Sequence, residues 1–122
     1  MLRCWSNNWN VVSGVTAKKN QWYHIANVYN GKKASIYIDG KLKVSQDVPK
    51  FELADQEQTA WLATDRGTGF LSACIIDEFI FYSDAVTEEE VNQIMEKGFE
   101  GALSVDSLDK LSVIWGKLKT GK

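Results

Sequence analysis

The chain has 122 residues, 44% of them hydrophobic, with 14 basic and 16 acidic side chains and a formal net charge of −2. That suffices for one domain with a real core and gives no charge asymmetry that would point to nucleic acid. No window approaches the ~20 apolar residues of a membrane-spanning helix, so membrane insertion is not expected.

The opening "LRCWSNNWNVVSG" already reads as strand, and residues 9–16 and 21–29 are rich in Trp, Val, Tyr and Ile. Asn30-Gly31 is the strongest short hairpin signal, since a type I′ turn needs φ > 0 at both central residues. A two-residue loop there predicts Tyr29 opposite Lys32 and Ile25 opposite Ile36. One face then carries Tyr23, Ile25, Asn27, Ala34, Ile36 and Ile38, and the other His24, Ala26, Val28, Ser35 and Tyr37. The first is the better core face. A strict two-residue loop at Asp39-Gly40 would bring Lys41 and Lys43 to that face. A three-residue loop with Gly40 left-handed returns Leu42 and Val44 instead, so a bulged turn is expected. The result is a three-stranded antiparallel meander from about 21 to 46.

Residues 47–60 are polar, contain the single proline, and read as a long connection. "WLAT" (61–64) reads as a short strand and "DRGTG" (65–69) as a loop. "FLSACIIDEFIFY" (70–82) is the most hydrophobic run and predicts a strand buried on both faces. "VTEEEVNQIMEKG" predicts a helix near residues 87–97. Thr87 caps it, Glu90 completes a capping box, Val86 and Val91 form a staple, and Gly98 ends it. Its apolar stripe is Val91, Ile94 and Met95, while Glu88, Glu89 and Glu90 suit the positive end of the helix dipole. "KLSVIWGKLK" (110–119) predicts a last strand. About seven strands and one short helix make an all-β antiparallel sandwich. Cys4 and Cys74 form neither a metal motif nor a C-x-x-C pair. They either bridge, if the chain is exported and their Cα atoms lie within ~7 Å, or are two unpaired core residues.

Two motifs carry a family resemblance. "QWYHIANVYNGKKASIYIDGKL" resembles the W-x-H-V-A-x-V-Y-D-G…L-Y-V-D-G-x-L segment of laminin G-like, concanavalin A-like lectin/glucanase jelly-roll domains. "FLSACIIDEFIFYSDAVTEEEVNQI" resembles that family's following G-x-I-D-E-V-x-I-Y-x-x-A-L-S/T-x-E-E-I signature. Together they cover residues 21–95 in the expected order, and residues 99–122 are similar to a C-terminal extension of some bacterial members. Asn30 replaces the family's Asp, Ala73 its Gly, and Phe79 its Val. Sandwiches of this class commonly run to roughly 200 residues, so the match begins midway through the pattern. Residues 1–122 are therefore expected to be a single partial jelly roll, the C-terminal portion of a domain, with the N-terminal strands missing. No signal peptide is visible at its start.

Asp77 is the sharpest site candidate. On a strand it shares a face with Ile75, Phe79 and Phe81, where a carboxylate needs hydrogen-bond donors or a cation. Ca²⁺ suits carboxylate and carbonyl oxygens. The resemblance implies the same, because the matching Asp of I-D-E often helps to bind a structural calcium. Backbone capping and plain exposure are the alternatives. Glu78 would lie on the opposite strand face and reads as a cross-strand partner for a lysine. Neighbours on a strand point apart, so the two are no glycosidase pair. The E-x-D-x-x-E string of concanavalin-like glycosidases does not occur, and Glu52, Asp55 and Glu57 have loop spacing.

His24 is the one histidine, which excludes a His-rich metal cluster, and no G-x-S-x-G elbow supports a triad. A packed structural role is expected for it. Trp5, Trp9, Trp22, Trp61 and Trp115 raise the carbohydrate question, since sugars stack on rings, although packing is the default use of such rings. Trp5 and Trp9, beside "SNN", are the ligand-binding candidates.

The residues themselves point to a β-sandwich without a catalytic constellation. The resemblance implies a non-catalytic binding or adhesion module of a larger extracellular or surface protein. It would recognise carbohydrate or protein ligands, with other domains of a longer parent chain as neighbours and a possible structural Ca²⁺. A purely structural accessory sandwich, or a piece of a glycoside hydrolase with its catalytic residues elsewhere, are the competing readings.

Overall fold

A computed structural model describes residues 2–6, 9–50 and 73–102. Its described part is mostly β, with two antiparallel sheets and one helix. Strands β1 (Arg3–Ser6) and β2 (Trp9–Val12) form a hairpin, and β3 (Ile25–Tyr29), β4 (Lys33–Ile38) and β5 (Lys41–Asp47) form the expected meander in the order β3-β4-β5. Residues 88–102 form the helix α1.

The first turn of the meander differs from expectation by two residues. Tyr29 stands opposite Ala34 and Ile25 opposite Ile38. Asn30 pairs with Lys33 through its N–H, and its side-chain Oδ1 accepts the N–H groups of Lys32 and Lys33 at 3.1 and 2.8 Å. Satisfying two amides with the Asn30 side chain moves the loop on to Gly31 and Lys32, with Gly31 at φ +87°. A two-residue slip preserves the alternation of faces, so the core face is still the one carrying Ala34, Ile36 and Ile38.

The second turn is a two-residue loop, not a three-residue one. Ile38 pairs with Lys41, and Asp39 and Gly40 both have positive φ (+51° and +72°), as a type I′ turn requires. The bulge comes further along. Tyr37 pairs with Leu42 but Ile36 with Val44, leaving Lys43 as the extra residue. That insertion turns Val44 to the core and keeps Lys43 out of it. Leu42 stays outside the core, 44% exposed.

The core lies between the two sheets. Val11, Ala34, Ile36, Ile38 and Val48 are buried together, with Leu2, Cys4, Trp9, Val15, Tyr23, Tyr29 and Val44 packed around them. Each fully buried aliphatic side chain contributes roughly 1.5–3 kcal/mol. Ser13 is the buried polar residue among those described, and its Oγ donates to the Leu2 carbonyl at 2.7 Å and accepts the Val15 N–H. β4 is also covered near its end on the opposite face, where Tyr37 is buried and α1 meets the Asp39-Gly40 turn.

The expected cap of α1 is present in both halves: Glu90 Oε2 accepts the Thr87 N–H at 2.7 Å, and Thr87 Oγ1 accepts the Glu90 N–H at 3.2 Å. Of the stripe, Val91 is buried, Ile94 half-buried and Met95 partly exposed. Gly98 takes φ +73°, as expected of a helix-ending glycine, but helical turns continue to residue 102.

Residues 73–82 are not a buried strand. They are exposed throughout and pair with no strand among the described residues. Glu78 sits at φ +49°, a value that interrupts extended backbone. The expected connection over 51–60, the strand at 61–64, the loop at 65–69 and the strand at 110–119 lie outside the described residues.

Candidate functional site

The sequence candidates fall in three separate places. Trp9 opens β2, stands opposite Ser6, and is half-buried at the margin of the core. Its indole stacks on the Tyr29 ring with centroids 6.5 Å apart and planes 25° from parallel. One part of the ring is therefore used in joining the two sheets. Trp5 occupies the β1 position opposite Asn10. Trp61 and Trp115 lie outside the described residues.

Trp22 is the tryptophan that the default of packing misplaces. It is 66% exposed. The backbone before it explains why. Asn20 takes φ +58°, and the Lys18 N–H donates to Tyr23 Oη at 3.1 Å, closing a short polar loop around Tyr23. Tyr23 is thereby held against the core and Trp22, its neighbour in the alternation, is left outside. The signal for this is the polar stretch Lys18–Gln21 immediately before it, which cannot bury a strand start.

Asp77 lies in the exposed 73–82 segment and does not share a buried strand face with Ile75, Phe79 and Phe81. Its Oδ1 accepts the N–H of Glu78 at 3.0 Å, a local cap on a residue of positive φ. A calcium ion takes six to eight oxygens. Among the described residues no group of three or more His, Cys, Asp or Glu side chains gathers around a common point. Asp77 and its described surroundings do not by themselves make a calcium site.

His24 is tied into the second hairpin. Its N–H donates to Asp39 Oδ1 at 3.0 Å and its carbonyl accepts the Asp39 N–H at 2.9 Å. The imidazole Nδ1 is buried and makes no hydrogen bond. These contacts belong to the turn, in keeping with a structural role. No disulfide joins Cys4, half-buried in β1, to Cys74, which is exposed in the 73–82 segment and so is not the core residue expected.

Among the described residues one titratable group is clearly perturbed. Burial pushes the Tyr37 phenol above its ordinary value of 10.0, and the nearby Glu88 carboxylate pushes it further in the same direction. Glu88 is in the first turn of α1, so the effect records how closely the helix approaches β4. No described helix is long and apolar enough to cross a membrane.

A laminin G family model, described as "Concanavalin A-like lectin/glucanases superfamily", matches residues 1–92. No curated protein matches the chain. Among solved structures it is similar to the crystal structure of an S-layer domain-containing protein (residues 221–444) from Clostridium thermocellum. The two share 18% identity with a TM-score of 0.45, over 70% of this chain and 44% of that one. The chain thus spans less than half the length of that structure.

Proposed function

This chain belongs to the concanavalin A-like lectin/glucanase superfamily, and from that premise we propose that it is a non-catalytic binding module of a larger extracellular or cell-surface protein. Its ligands are carbohydrates or proteins, and carbohydrate is the reading that the surface favours. The observation that carries it is Trp22, an indole two-thirds in water beside a polar loop. Tryptophan is highly buried on average, and a flat ring kept at the surface offers a stacking face to the C–H side of a sugar. Trp9 adds its outward part, and Trp5 stands on the neighbouring strand.

A glycan array probed with the chain, followed by calorimetry on any glycan retained, tests this. Binding that Trp22→Ala abolishes while the unfolding midpoint stays in place supports the module. A folded chain that retains no glycan on a broad array supports the competing reading of a structural accessory sandwich.

Calcium belongs to the same proposal. Asp77 would give one carboxylate oxygen to Ca²⁺, a cation that suits carboxylate and carbonyl oxygens. Ca²⁺ should then raise the thermal midpoint of the chain, and Asp77→Asn should remove that rise. A midpoint indifferent to calcium and to chelator rejects the ion.

A further inference from the structure

Met95 stands where α1 meets the Asp39-Gly40 turn. Its Cε lies 3.1 Å from the point at which a Cβ on Gly40 would stand, so the methyl fills space that a side chain there would take. Gly40 itself is buried at this contact. Asn92, three residues before Met95 and on the same side of the helix, donates to the Gly40 carbonyl at 3.0 Å. Beside it Val91 is 1% exposed, whereas Met95 is 37% exposed. Water therefore reaches the same thioether side chain that packs on the turn.

That combination has a chemical consequence. A peroxide can transfer one oxygen atom to the sulfur of an accessible methionine. A lone pair of Sδ attacks the peroxide, the S–O bond forms as the O–O bond breaks, and the second oxygen leaves as water once it has taken up the proton. The sulfur is oxidised by two electrons and the peroxide is reduced. The product is a polar, chiral sulfoxide in place of a flexible apolar chain.

We propose that Met95 is an oxidation site for peroxides, and that its sulfoxide releases α1 from the Asp39-Gly40 turn. An S=O dipole kept against Gly40 is costly unless a donor meets it. Turning it out to water draws the Cε off the turn, so the packing contact is lost either way. The Asn92–Gly40 hydrogen bond then loses the apolar contact beside it, and the helix end of the junction loosens. The change is reversible, because sulfoxide reductases return each epimer to methionine.

Graded treatment of the full chain with hydrogen peroxide, followed by peptide mapping in a mass spectrometer, tests the proposal. The folded chain should gain one oxygen at Met95, and its thermal midpoint should fall by several degrees. Tyr37 gives a second readout. Glu88, in the first turn of α1, helps to raise its phenol, so the phenol of the oxidised chain should ionise nearer its ordinary value of 10.0. Met95→Leu, a volume-conserving change, should keep both its midpoint and its raised phenol through the same treatment. It retains Cys4 and Cys74, so a loss of stability in this variant would assign the effect to the thiols and overturn the proposal. Met95→Gln puts a polar group at the same contact and should start from the lowered midpoint, and sulfoxide reductases of both epimer specificities should restore the oxidised chain. A Met95 that stays reduced in the folded chain overturns the proposal, and so does a sulfoxide that leaves either the midpoint or the Tyr37 titration unchanged.

Discussion

Asn92, on α1, donates from Nδ2 to the carbonyl of Gly40 at 3.0 Å, joining helix and β-turn across 52 residues of sequence. The same nitrogen donates its other hydrogen to the Glu88 carbonyl at 2.8 Å. The Asn92 side chain is thus fixed against its own helix and presented to the turn. Gly40 must be a glycine for two reasons that coincide. Its φ is +72°, and a Cβ there would overlap Asn92 and sit 3.1 Å from the terminal carbon of Met95.

Gly40→Ala should destabilise the chain by about 2–4 kcal/mol, from left-handed strain and overlap together. Asn92→Ala alone should cost about 1–2 kcal/mol for the lost part-buried hydrogen bond. The double variant should lose less than the sum, since the overlap with Asn92 disappears when its side chain does. Urea unfolding of the four proteins measures this. Strict additivity would mean that the turn and the helix do not bear on one another.

Asp39, in the same turn, should tolerate one substitution and not another. It occupies the first left-handed position at φ +51°, and its Oδ1 accepts the His24 N–H. Asparagine keeps both properties, so Asp39→Asn should change stability by less than about 0.5 kcal/mol. Asp39→Ala loses the acceptor and strains the backbone, and should cost about 2 kcal/mol. If the two substitutions have equal effects, the charge of Asp39 matters and its geometry does not.

The two hairpin turns also show how much of the fold is legible in the residues. Asn30-Gly31 and Asp39-Gly40 announce hairpins, and alternation assigns Ala34, Ile36 and Ile38 to the core. Register is harder, because the Asn30 side chain takes two amides and moves the loop, a choice that dipeptide preference does not encode. The parity conflict of Lys41 and Lys43 demands a bulge, but a sheet can absorb it anywhere along the strand, and here it lies at Lys43. Residues 70–82 read as a buried strand because hydrophobicity signals what a segment could bury. It does not say whether a neighbouring strand is there to bury it. Trp22 escapes a reading of the sequence for the complementary reason, that its exposure depends on the closure of a loop by Tyr23.

The capping box is legible because it is local. Thr87→Ala should cost about 1 kcal/mol, and Glu90→Ala should cost a similar amount by freeing the Thr87 N–H, now bonded at 2.7 Å. Since the two bonds are reciprocal, hydrogen exchange should accelerate at the amides of residues 87 and 90 in both variants. Acceleration confined to the amide that lost its own acceptor would mean that the two halves of the box act separately.

At Tyr37, burial and the Glu88 carboxylate both raise the phenol above 10.0. In the unfolded chain the phenol ionises near 10. The stability linked to the neutral phenol is therefore fully present below that pH and is lost as pH rises through the folded value. Glu88→Gln should lower the folded value without restoring it to normal, because burial is the larger cause and remains. Tyr37→Phe should remove this alkaline loss altogether. Tyrosinate absorbance followed during a pH titration, with unfolding midpoints on the same samples, separates the cases. If Glu88→Gln brings the phenol all the way to its ordinary value, charge and not burial governs the site.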